Sequence, residues 1–124
     1  MAILRIFTGA DGKSHFQDIV PEYQDDPQVV GGQKWPLDAR AVVHEEGGII
    51  ARRFDPTRSN PWHHAPGLVC AFNLSGEVEI EVGDGTKRTL GPGDLLIAED
   101  LTGQGHYTRE VGSEPRVTVF VPLK

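Results

Sequence analysis

Hydrophobic and polar residues along this chain alternate with the period of β-strands, and no segment shows a helical period with caps. The clearest stretch is 77–82. Val78, Ile80 and Val82 alternate there with Glu77, Glu79 and Glu81, which predicts one buried face and one solvated face. Gly83-Asp84-Gly85 follows and predicts a hairpin, because Asp-Gly suits the positive φ angles of a type I′ turn. Residues 86–90 return, Gly91-Pro92-Gly93-Asp94 turns again, and 95–98 reads as a short buried strand. Residues 106–109 and 116–121 complete the series. Upstream, 3–7, 39–43, 48–54 and 68–74 read as strands, with polar loops at 44–47 and 55–61. Residues 19–38 hold Pro21, Pro27, Gly31, Gly32 and Pro36 with little periodicity, and read as an irregular arm over the rest. Closely spaced antiparallel strands predict an all-β barrel or sandwich.

Composition narrows the function more than the fold. The 124 residues suffice for one domain with one core. The net charge of -6 and sequence pI near 5.2 argue against a nucleic-acid partner, whose phosphates call for a basic surface. Cys70 is the one cysteine, so no internal disulfide forms. It lies in an apolar run and reads as a small buried hydrophobe. No stretch approaches the ~20 apolar residues of a membrane helix, and the apolar start is too short for a secretory signal. A cytoplasmic location and no membrane partner are the expectations. No phosphate-cradling glycine loop, Cys-x-x-Cys pair or nucleophile elbow is present.

The order Leu74-Ser75-Gly76-Glu77-Val78-Glu79-Ile80, the Asp-Gly hairpin, then Leu90-Gly91-Pro92-Gly93-Asp94-Leu95-Leu96 resembles the conserved barrel of the cupin superfamily. The resemblance covers about residues 48–122, with 1–47 as an N-terminal strand and arm of the same domain. It implies a jelly-roll β-barrel, commonly dimeric, with an interior pocket that usually holds a divalent iron, manganese, nickel, copper or zinc ion.

In that family the metal ligands are a His-any-His pair, a glutamate shortly before the Leu-x-Gly turn, and one later histidine. Counted back from Gly76, the glutamate position falls on Val69. His63 then matches the first histidine and Ala65 the second. With a loop one residue longer, His64 matches the second and Trp62 the first. The resemblance makes His106 the later histidine. Two of four ligands are therefore kept, and Glu99, Asp100, Glu45 and His44 are open candidates for a third. The implied metal ligands are His63, His64 and His106, with Trp62, Val69 and Gln104 about the pocket. Adjacent residues on a regular strand face opposite ways, so His63 and His64 would not both enter the barrel. His15 and His44 lack spaced partners and read as surface residues. The Glu77, Glu79 and Glu81 face reads as solvated. One of Arg52 and Arg53 would point inward, towards an anionic substrate.

Two functions remain open. One is a small-molecule enzyme of isomerase, decarboxylase, lyase or oxygenase type. His63 and His106 would be its catalytic residues, holding a divalent metal or acting as acid and base. The other is a non-catalytic or metal-free barrel that binds a small ligand as a sensor. The apolar face of Cys70, Phe72 and Leu74 predicts a homodimer or an inter-sheet core.

Overall fold

The computed structural model describes residues 3–30, 33–65 and 67–123. Residues 1, 2, 31, 32, 66 and 124, which include the Gly31-Gly32 pair of the arm, lie outside the described residues. Among those described, the alternation becomes antiparallel strands and no α-helix. In chain order they are β1 (Leu4–Thr8), β2 (Ser14–Asp18), β3 (Gln24–Asp25), β4 (Gln28–Val30), β5 (Gln33–Trp35), β6 (Ala39–His44) and β7 (Ile49–Phe54). Then come β8 (Ser59–His63), β9 (Val69–Ser75), β10 (Glu77–Val82), β11 (Lys87–Leu90), β12 (Leu95–Ala98), β13 (His106–Val111) and β14 (Arg116–Pro122). A sheet in the order β12-β9-β14-β7-β6-β3 faces one in the order β11-β10-β13-β8, while β1–β2 and β4–β5 are separate hairpins. No helix among the described residues is long and apolar enough to cross a membrane.

The strand β10 follows its sequence pattern. Val78 and Ile80 are buried inside. On the opposite face, Glu79 and Glu81 are not simply solvated as expected. Arg109 Nη1 reaches Glu79 Oε1 at 3.3 Å and Glu81 Oε1 at 3.0 Å, and its guanidinium lies 3.8 Å from the centre of the Tyr107 ring. Such half-exposed pairs are worth ~0–1 kcal/mol each.

The turns differ in detail from expectation. Among the described residues no non-glycine has positive φ, so Asp84 cannot supply the first half of a type I′ turn. Instead the Gly85 N–H donates to the Val82 carbonyl, and Gly85 alone takes positive φ (90°). That is a three-residue loop, a type I turn closed by a left-handed glycine. At Gly91-Pro92-Gly93-Asp94, the Asp94 N–H donates to the Gly91 carbonyl and Gly93 has φ 87°. This is a type II turn, with proline and glycine where that turn wants them.

Two other regions correct the sequence reading. Residues 55–61, expected as a polar loop, contribute β8. Among the described residues this edge strand pairs only with β13, so Pro61 removes no shared ladder hydrogen bond. Pro61 and Trp62 together stand opposite Tyr107 in a bulge, flanked by the pairs Asn60–Thr108 and His63–His106. The arm at 19–38 is also less irregular than expected, since β3 pairs with β6 and β4 with β5. The preceding β2, which carries no clean alternation, returns along β1.

On the six-stranded sheet, odd and even residues separate cleanly. Arg52, Phe54, Ala71, Asn73, Thr118 and Phe120 face the interior. On the outer face, Ala41 and Ala51 pair across β6 and β7 and are almost fully buried, and Arg53 nearby stacks on Tyr23 of the arm. At the other end of this face Phe72, Leu95 and Ile97 remain 42%, 49% and 52% exposed, while Cys70 is buried.

Gly76 shows why the Leu-Ser-Gly turn needs its glycine. It has φ 74°, and an added Cβ would stand 2.9 Å from the Arg116 Cα. Gly76→Ala is expected to lower unfolding free energy by at least ~2 kcal/mol, from left-handed strain plus the backbone clash. Urea titration checks this, and a loss under ~0.5 kcal/mol would contradict it.

Candidate functional site

The two sheets enclose a cavity of about 700 Å³. That size suits a small organic ligand. Its two ends differ. At the closed end the buried Arg116 bridges the sheets, with Nε donating to Glu110 Oε1 at 2.7 Å and Nη2 to Glu110 Oε2 at 2.9 Å. Its Nη1 donates to Thr118 Oγ1 at 2.6 Å. Thr118 donates in turn to Asn73 Oδ1, and Asn73 Nδ2 donates to the Gly76 carbonyl. Arg58, 7% exposed, sits beside this network. Its Nη1 lies 3.0 Å from Asp38 Oδ2, an ion pair whose atoms are not aligned as a hydrogen bond. Burial pushes the Asp38 carboxyl up and the Arg58 guanidinium down, as low-dielectric surroundings do to both members of a pair. The guanidiniums of Arg58 and Arg116 lie 4.7 and 4.2 Å from the centre of the Phe54 ring.

At the other end stand the histidines. His63 on β8 and His106 on β13 are cross-strand partners, both line the cavity, and their ring centres are 4.4 Å apart. His63 Nδ1 is 2.8 Å from the Pro61 carbonyl, which only accepts, so Nδ1 carries the proton. His63 Nε2 then accepts from Asn60 Nδ2 at 3.0 Å. Burial, assisted by the adjacent His106, holds the His63 pKa below the ordinary histidine range. His106 Nδ1 bonds Asp100 Oδ2 at 2.5 Å. Asp100 does not line the cavity whereas His106 does, so the Nε2 edge is the one presented to a ligand. The loop carrying Asp100 is fixed by the Ala65 N–H donating to the Asp100 carbonyl. It also depends on Gly105, where a Cβ would fall 1.8 Å from the His63 carbonyl oxygen.

The other residues singled out in the sequence are distributed around this frame. His64 lines the cavity together with His63, contrary to strand alternation, because β8 ends at His63. It is exposed, and its Nδ1 bonds the Ala65 carbonyl. Val69 and Ala65 line the wall. Trp62 lies outside it, edge-on to Tyr107 in the bulge with ring centres 6.0 Å apart. Gln104 is also outside and exposed, by Gly83 of the hairpin. Glu99 is exposed, and His44 and Glu45 belong to the β6–β7 turn, where His44 Nδ1 accepts from the Gly47 N–H. His15 is exposed and bonds Asp11. Arg52 points inward and Arg53 outward. Sequence reasoning missed Asn60, Arg58, Glu110 and Arg116 as site residues. Charged residues at inward positions break the two-letter pattern used to find strands.

As arranged here, the side chains of His63, His64 and His106 do not make a divalent-metal ligand set. The His63 lone pair is used by Asn60, and Val69 on the wall offers no donor. Arg52, Arg58 and Arg116 line the same cavity, and its one lining carboxylate among the described residues, Glu110, is engaged by Arg116. Among the described residues no group of three or more His, Cys, Asp or Glu side chains is placed to hold a metal ion.

No family model matches the chain, and no curated protein matches it. Solved structures do match. A predicted oxalate decarboxylase from Thermotoga maritima is 18% identical with a TM-score of 0.55, over 85% of this chain and 94% of that one. A sugar phosphate isomerase from a cupin superfamily, from Silicibacter pomeroyi, is 15% identical with a TM-score of 0.55, over 70% of this chain and 59% of that one. A cupin-like protein from Thermotoga maritima is 19% identical with a TM-score of 0.53, over 68% of this chain and 67% of that one. This chain therefore has the cupin jelly-roll fold.

The depressed His63 pKa has a definite sign. The unfolded chain binds a proton near the ordinary value of 6.5, above the folded value. Stability from His63 is complete above that pH and is lost as pH falls through the window below it. His63→Gln is expected to flatten the loss of unfolding free energy between roughly pH 7.5 and 5.5 relative to the natural chain. Parallel urea titrations check this, and equal slopes would refute it.

Proposed function

We propose that this protein is a metal-independent enzyme that moves a proton on a small organic molecule, in an isomerisation or elimination. The observation that carries the reading is the Asp100 carboxylate on His106 Nδ1, with the opposite ring nitrogen left for the cavity. A carboxylate in that position fixes the tautomer, so the neutral ring offers an in-plane lone pair at Nε2. It also stabilises the imidazolium that forms when Nε2 takes a proton. In the proposed reaction Nε2 removes a proton from a carbon beside an electron-withdrawing group. The released electron pair either reforms a C–H bond at a neighbouring atom, using the proton held on His106, or expels a leaving group. His63 is a packing neighbour in this scheme, because both of its nitrogens are engaged within the protein.

The test is hydrogen–deuterium exchange into a panel of small carbon acids in D₂O, followed by NMR after treating the protein with a chelator. Exchange is expected to survive chelation and to fall by ~10²–10⁴-fold in His106→Asn. Asp100→Asn is expected to lose at least ~10²-fold, by favouring the wrong tautomer. Exchange that needs an added divalent metal, or that persists in His106→Asn, would sink the proposal. A barrel that binds ligands yet exchanges none would be the non-catalytic sensor.

We also propose that the chain is a homodimer through the uncovered end of the six-stranded sheet. Phe72 and Leu95 are cross-strand neighbours there, with Ile97 beside them on the same face, and exposed apolar surface of this kind favours association. Sedimentation equilibrium at micromolar concentration is expected to give a dimer for the natural chain and a folded monomer for Ile97→Glu. A natural chain that sediments as a monomer would refute the interface.

A further inference from the structure

We infer that the cavity takes a small organic acid, with its carboxylate held by Arg52 and Arg58 and its apolar body extending towards His106. The inference rests on the reading of the cavity as the substrate site and names the class of that substrate.

The charge arrangement comes first. Arg52, Arg58 and Arg116 all line the cavity, whereas Asp26 and Asp38, the carboxylates paired with Arg52 and Arg58, do not line it. Glu110 is the one lining carboxylate among the described residues, and Arg116 occupies both its oxygens. A ligand therefore meets guanidinium donors and no free carboxylate. The three arginines are not equivalent. Arg116 commits Nε, Nη1 and Nη2 to Glu110 and Thr118, so its role is architectural. Arg52 commits only Nη1, to Asp26, among the described residues. Arg58 makes no aligned side-chain hydrogen bond there; its Nε and Nη1 are sealed from the cavity, which leaves Nη2 as the donor that can meet a ligand. An arginine buried with unpartnered donors is poorly satisfied until an acceptor arrives, and a carboxylate oxygen supplies one.

The ligand's charge and shape follow. Each guanidinium already has a carboxylate nearby, so the end region is close to neutral overall and accommodates a monoanion better than a phosphate dianion. Ile50, Ala71, Ile80, Leu96 and Phe120 supply apolar wall above the arginines, which suits a hydrocarbon body. Along β13, Glu110 and His106 are four residues apart, on the order of 13 Å of strand. An acid anchored at the closed end must therefore carry several carbons to bring a C–H bond to His106.

The experiment compares octanoate with octanamide, matched in shape and different in charge, by calorimetry and thermal shift on the natural chain, Arg52→Gln and His106→Asn. Inorganic phosphate is the third probe. Octanoate is expected to bind at least ~10-fold tighter than octanamide, a difference worth ~1.4 kcal/mol. Arg52→Gln is expected to erase that difference while leaving octanamide binding within about two-fold. His106→Asn is expected to keep octanoate affinity within about two-fold, because His106 touches the far end of the body. That arm separates the two ideas: loss of proton exchange with intact acid binding leaves the anion site standing, and the reverse leaves only the base standing. Equal binding of acid and amide, no binding of either, phosphate binding as tightly as octanoate, or an unchanged preference in Arg52→Gln would each overturn the inference.

Discussion

The structure depends on the ion pair between Arg116 and Glu110. Glu110 belongs to the four-stranded sheet and Arg116 to the six-stranded sheet, so this fork is a crosslink between the two layers. The Glu110 side chain is 3% exposed and that of Arg116 10%. An ionic pair this buried is neutral or costly against an apolar replacement, but removing one partner costs ~3–5 kcal/mol, because the other is left charged and alone. The pair therefore specifies which way the sheets close more than it adds to their stability. Thr118 and Asn73 extend it to the carbonyl of Gly76, so the turn between β9 and β10 is tied to the same point.

Closing one end with the network of Arg116, Glu110, Thr118 and Asn73 leaves the other to be built by loops. There, β8 runs as an edge strand through a bulge at Pro61 and Trp62, and this sets His63 opposite His106. The loop before β13 then crosses close enough that only glycine fits at position 105, and its Asp100 meets the outer nitrogen of His106. The bulge, the glycine and the aspartate act together. Each is local, yet the orientation of one imidazole depends on all three.

Residues whose neighbours share their period were legible in the sequence. Alternation fixed β10 to its ends, and the paired turns at Gly85 and Gly93 marked where strands reverse, although Asp84 kept negative φ and changed the turn type. The jelly-roll order was legible because its turn motifs recur at set distances. The strand β8 was hidden by Pro61, which is harmless because, among the described residues, nothing pairs on that strand's other side, a fact of topology. The role of Asp100 was hidden because loop residues carry no period. Four acidic or histidine candidates looked equivalent until folding placed one of them beside His106. Arg58, Arg116 and Glu110 were hidden for the opposite reason: inward charges violate the pattern, and only pairing, of Arg116 with Glu110 and of Arg58 with Asp38, makes them tolerable inside.

These features bear on one another through charge. A barrel that held a divalent ion would need carboxylate and imidazole donors converging, and it would need cationic side chains elsewhere. Here Val69 and three guanidiniums share the cavity wall, and Glu110 is the one lining carboxylate among the described residues. Burial, with a smaller push from the neighbouring His106, opposes protonation of His63 and lowers its pKa. An imidazole kept neutral is a base, and a guanidinium kept partly unsatisfied is an anion receptor. The proposed base and the proposed anion site therefore draw on the same feature, a cavity lined by imidazoles and guanidiniums in which the one carboxylate among the described residues, Glu110, is already engaged by Arg116.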